Sequence, residues 1–163
     1  MTSPADPILQ SIVSFLTGIG LRVVYEDLPE DTWFPGILVR RGELVVDHAR
    51  LKYPGDILHE AGHIAVIPAE LRATANGDVD FGGGVELAAT AWSYAALVEL
   101  GLPASVVFHP ESYGGEGDHY REVFEGGRYF GVPLMQRAGM TCDTAGALRL
   151  GIAPYPAMQR WLL

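Results

Sequence analysis

Residues 56–66 read D-I-L-H-E-A-G-H-I-A-V, an aspartate, two histidines and a glutamate set among Ile, Leu, Val, Ala and Gly. The segment cannot lie on the surface without exposing Ile57, Leu58, Ile64 and Val66. It cannot be buried unless its polar groups find partners, because an unpaired charge in the interior is very costly. Pro54-Gly55 before it and Pro68 after it bound a helix of about three turns. Asp56 is placed as an N-cap or first-turn acid, favourable near the positive end of the helix dipole. Residues four apart share a helix face, so His59 and His63 aim two imidazole nitrogens at one point. Glu60 lies about 100° round from His59 and borders that point without filling it. Ala61 and Gly62 are small enough to let another element or a substrate come close. H-E-x-x-H is a metal signature for these reasons: two nitrogen ligands and a carboxylate placed to take a proton from metal-activated water. Zinc is the expected ion.

A catalytic zinc takes three protein ligands and keeps one position open. The apolar run Val85–Leu102 holds a second buried helix, about Val85–Leu100, ended by Gly101 with Pro103 beyond, and it offers Glu86 and Glu99. At 100° per residue these two point almost opposite ways, so only one can face the metal. Glu86 sits in the first turn, and Ala88, Ala89, Thr90 and Ala91 allow tight packing on the first helix. Glu86 is therefore the expected third ligand. Asp78, Asp80 and His109 are weaker alternatives, and a first-turn acid that only complements the helix dipole is the plain one.

Around these helices the pattern is α+β. Pro7 to about Thr17 has helical spacing of Ile8, Ile12, Val13 and Leu16. Leu21–Tyr25 is a β-type run, and 36–40 with 43–47 reads as a hairpin about Arg41-Gly42. Asp118–Glu125, Pro133–Ala138, Cys142–Leu150 and Ala157–Leu162 read as further short helices. One domain over 1–163 is expected, a core at 1–104 and a helical C-terminal part at 105–163.

Twenty acidic residues against eleven basic ones give a net charge of −9, and Lys52 is the sole lysine. With no basic face, nucleic-acid binding and attraction to anionic lipid are not expected. Cys142 is the sole cysteine, so no intrachain disulfide forms, and nothing near it suggests a paired histidine. Residues 1–20 lack the layout of a secretory leader, and Glu86 and Glu99 interrupt the one long apolar run. A cytoplasmic protein is expected.

His59-Glu60-Ala-Gly-His63 followed by Glu86-Leu-Ala-Ala-Thr-Ala-Trp-Ser-Tyr resembles the gluzincin pattern of zinc metallopeptidases. Helix, hairpin, H-E-x-x-H helix and E-x-x-A helix come in the order of the ImmA/IrrE-like metallopeptidases. The resemblance covers about residues 8–104, and its specific part is His59, Glu60, His63 and Glu86. It implies a small zincin-like fold, with a short sheet and hairpin packed on two central helices. It implies cleavage of a specific protein or peptide, with a zinc-activated water as nucleophile and Glu60 as general base. Members of that family are implicated in cleaving helix-turn-helix repressors. His119, in the Gly-rich stretch 114–121, is the first candidate for stabilising the oxyanion, with Tyr113, Tyr120 and Arg121 beside it. The competing expectation is a non-catalytic zinc-binding module. Trp33, Trp92 and Trp161 read as packing groups, although Trp33 could line a substrate cleft.

Overall fold

The computed structural model describes residues 6–77 and 82–163. Its element order is α1 (Pro7–Gly18), β1 (Val23–Tyr25), β2 (Ile37–Arg40), β3 (Glu43–Val46), α2 (Asp56–Ala65), α3 (Ala69–Arg72), α4 (Gly83–Leu100), α5 (Gly117–Glu125), α6 (Val132–Arg137) and α7 (Thr144–Leu150). The α+β class is as expected. α1 starts where Asp6 accepts from the Ile8 and Leu9 amides at 2.8 and 3.3 Å, with Pro7 at the first helical position. It buries Leu9, Ile12 and Leu16.

The sheet is mixed, in the order β1-β3-β2, with β1 parallel and β2 antiparallel to the central β3. The β2–β3 turn has φ of +50° at Arg41 and +76° at Gly42, the two positive values that match the twist of a tight hairpin. Asn76 and Ala75 hold this turn from outside, through the Arg41 and Gly42 amides at 2.9 and 3.0 Å.

All ten residues of α2 are buried, and α4 packs directly against it. Gly62 makes the close approach possible: a Cβ there would lie 2.7 Å from the Ala89 carbonyl oxygen. α4 begins two residues earlier than the apolar pattern suggests, at Gly83, and ends at left-handed Gly101 as expected.

The C-terminal part is more irregular than its pattern. α5, α6 and α7 correspond to three of the expected short helices, whereas Ala157–Leu162 is not helical. Its backbone is used for tertiary contacts instead. The Gln159 and Leu163 amides donate to the Met140 and Ala65 carbonyls at 2.9 Å each, and the Trp161 carbonyl accepts from the Trp92 indole at 2.9 Å. Phe108, Phe124, Met135 and Met140 are fully buried in the same core as Leu9, Leu44, Ile57 and Trp92. Among the described residues no helix is long and apolar enough to cross a membrane.

Candidate metal centre

α2 presents His59 and His63 one turn apart, with Nε2 atoms 3.1 Å apart. The rings stand nearly perpendicular, at 82°. Both side chains are buried, as the apolar flanks require. Together with Glu60 they form a buried group that could hold a metal ion, one ligand atom from each side chain lying within 4.8 Å of the others.

Two carboxylates border the imidazole pair, Glu60 on α2 and Glu86 on α4. Glu86 places its oxygens 3.3 Å from His59 Nε2 and 2.8 Å from His63 Nε2. Hydrogen bonding to His59, then to His63, holds its carboxyl well below the usual carboxylate range, against the opposing effect of desolvation. Glu86 is half-exposed at the mouth of the site. Glu99 lies thirteen residues further along the same helix, and is not among the residues lining the cavity described below. Asp78 and Asp80 lie outside the described residues.

His59 is held from behind. The Tyr113 hydroxyl lies 3.0 Å from His59 Nδ1, and the two rings meet edge to face, 5.4 Å apart. For Nε2 to offer a lone pair to a metal, the neutral ring carries its proton on Nδ1, so the phenol oxygen accepts here. The Tyr113 hydroxyl in turn lies against the Thr90 and Ser93 hydroxyls of α4, and burial raises its pKa above the ordinary tyrosine value. The residue has the unusual φ of +52°, a cost that functional sites often carry. Stacking on Tyr120, 4.3 Å away and nearly parallel, fixes the ring.

A second buried histidine stands nearby. His109 Nε2 lies 2.8 Å from Asp56 Oδ1, both side chains are buried, and Tyr53 stacks on the imidazole at 3.7 Å. Asp56 therefore serves as a first-turn acid whose carboxylate reaches across to the C-terminal part; it does not cap α2, where Gly55 precedes the helix without a side-chain cap. His109 borders the centre but does not join the His59–His63–Glu86 cluster.

These groups line one cavity of about 480 Å³, whose walls include Trp33, Phe34, Tyr53, Asp56, Glu60, His109 and Tyr113. That volume is within the ordinary range for ligand sites. His119 is not part of it. The side chain is exposed on α5, the helix that turns Phe124 inward, and Tyr113 approaches the histidine pair from the same C-terminal part. Tyr120 packs behind Tyr113, and Arg121 pairs with Asp118 at 3.0 Å. The supporting roles of Tyr113 and the Asp56–His109 pair were missed by the sequence reading, because both contacts span more than fifty residues. No protein-family model, curated protein or solved structure matches this chain.

Proposed function

We propose that this chain is a zinc-dependent metallopeptidase of the gluzincin type, with His59, His63 and Glu86 as metal ligands and Glu60 as general base. The observation that carries the proposal is the convergence of two imidazole Nε2 atoms and one carboxylate, with separations of 2.8, 3.1 and 3.3 Å. Lone pairs crowded in this way repel unless a cation or protons lie between them. Metal bonds of about 2.0–2.1 Å in a tetrahedron set neighbouring donors about 3.3–3.4 Å apart, close to the spacing seen. Two imidazoles and a carboxylate are a usual zinc donor set, and His59 has the outer-shell partner that such ligands need.

When bound, zinc supplies Lewis acidity toward a carbonyl and lowers the pKa of water toward 7. Glu60 sits beside the ligands and faces the cavity, placed to take the proton of the attacking water and return it to the leaving nitrogen. The open cavity and the half-exposed Glu86 favour catalysis over a purely structural zinc, whose coordination is closed by a fourth side chain. An acidic protein with one lysine suits a protein or peptide substrate better than a nucleic acid.

Metal analysis of the purified protein tests this reading. One equivalent of zinc is expected in the wild type, lost in His59→Ala and Glu86→Ala and kept in Glu60→Gln. Peptide hydrolysis is expected to disappear in all three. A wild type that binds no zinc defeats the proposal, and a Glu60→Gln protein of unchanged turnover removes the general base.

A further inference from the structure

We infer that a side cavity next to the metal centre receives a bulky apolar side chain of the substrate, with Trp33 as its specificity-determining wall. This rests on the peptidase reading and adds the class of residue recognised. Trp33 is 79% exposed, while Trp92 is fully buried and Trp161 packs on Phe15 and Trp92. A lone exposed apolar residue needs no explanation, but Trp33 is placed at a junction. It lines the main cleft and also a second cavity of about 280 Å³, and Phe34 and Glu60 line both. A peptide bond set beside Glu60 therefore has a neighbouring side chain within reach of the second cavity.

The lining of that cavity selects the occupant. Ile37, Val39, Phe34 and Pro29 make it mainly apolar, and among the described residues no basic one lines it. Asp31 and Glu60 disfavour an acidic side chain there. Trp33 is displayed on an anchored loop: the Ile37 amide donates to the Phe34 carbonyl at 3.1 Å, and the Asp47 amide to the Gly36 carbonyl at 2.9 Å. Gly36 has a φ of +75°, and a Cβ there would press on the Asp47 carbonyl oxygen at 2.8 Å. The loop backbone is thus fixed while the indole stands in water, so covering it on binding removes apolar surface without first ordering the loop.

The test uses hydroxamates, which chelate zinc and need no turnover. N-acetyl-glycine, N-acetyl-phenylalanine and N-acetyl-arginine hydroxamates are titrated calorimetrically into the zinc-loaded protein. The phenylalanine compound is expected to bind at least about tenfold more tightly than the glycine compound. Trp33→Ala is expected to bring that ratio to within about threefold, with a melting temperature close to that of the wild type because the side chain is exposed. Equal affinity of the glycine and phenylalanine compounds overturns the subsite while leaving the metal centre standing, as does tightest binding by the arginine compound. A ratio that survives Trp33→Ala removes Trp33 from the role. Failure of all three to bind overturns the metallopeptidase reading itself, and the subsite with it.

Discussion

A metal-ligating imidazole has two nitrogens, and the one that does not touch the metal decides how well the other does. At His59, which we propose as a ligand, Nδ1 meets the Tyr113 hydroxyl at 3.0 Å. Replacing Tyr113 by Phe keeps the ring, its stacking on Tyr120 and its edge contact with His59, and removes only the hydroxyl. Outer-shell partners of this kind are worth about 10–100-fold in metal affinity. Tyr113→Phe is therefore expected to weaken zinc binding by that factor while the circular dichroism spectrum stays that of the wild type. Competition against a chelator of known affinity measures it, and an unchanged dissociation constant would show that Tyr113 does not support His59. The same site shows what a sequence discloses residue by residue. His59 and His63 could be placed together from a spacing of four, and Glu86 from its position in the next apolar helix. Tyr113 could not, because it reaches His59 from a turn 54 residues away whose path no local pattern describes. His119 was attractive for its glycine-rich neighbourhood, yet α5 uses its inward face for Phe124 and leaves His119 exposed.

Between elements, the site depends on how closely α4 approaches α2. Gly62 lies on α2 against Ala89, one turn after Glu86 on α4. Adding a methyl group 2.7 Å from a carbonyl oxygen forces the helices apart. Gly62→Ala is expected to cost about 1–3 kcal/mol, the usual cost of overpacking, and to weaken zinc binding, since Glu86 moves with α4. Chemical denaturation and metal titration on the same variant check both, and a variant at least as stable as the wild type would contradict this packing. A second tie fixes the loop that carries Trp33. Asp47 accepts from the Leu28 and Ala49 amides at 2.9 and 2.8 Å and from Arg50 at 3.1 Å. These contacts, the Leu28 amide foremost, lower its pKa. A carboxyl with a lower pKa folded than unfolded stabilises fully above its unfolded value of about 3.9, and that stability is lost as the pH falls through the folded value. Asp47→Asn should lower the melting temperature at neutral pH, and the gap to the wild type should narrow below about pH 4. Glu86 has a shift of the same sign but is present in both proteins, so the difference between the two melting curves reports Asp47. Elements such as the hairpin and α2 were legible because local rules, a tight turn and a four-residue spacing, agree with the tertiary outcome. Residues 157–162 were not, because their backbone partners include Met140 and Trp92, with Leu163 next to them tied to Ala65, and apolar spacing alone cannot tell a short helix from a strap.

At the scale of the whole molecule, the motif-bearing region and the C-terminal part share one interior. The sequence reads as one domain over 1–163 whose recognisable pattern ends at about residue 104, and the buried core takes side chains from both sides of that point. Phe108, Phe124, Met135 and Met140 are fully buried against side chains from the first hundred residues. The Tyr155 hydroxyl donates to the Ala91 carbonyl on α4 at 2.7 Å, and the Leu163 amide donates to the Ala65 carbonyl at the end of α2. The four side chains alone, at about 1.5–3 kcal/mol each, amount to about 6–12 kcal/mol, comparable with the entire stability of an ordinary domain, about 5–15 kcal/mol. A fragment ending at residue 104 would expose one side of α4 and lose Tyr113 and His109 from the centre. It is expected to lack a cooperative melting transition and to bind zinc far more weakly than the full chain. A milder variant separates core from centre: Tyr155→Phe removes one buried hydrogen bond to an Ala91 carbonyl that keeps its helical partner and should cost about 0.5–1.5 kcal/mol, with zinc stoichiometry unchanged. Calorimetry and metal analysis on both proteins decide the matter. A 1–104 fragment that melts cooperatively and holds zinc as tightly as the full chain would mean that α2 and α4 form the centre without the residues packed behind them, against the continuous core seen here.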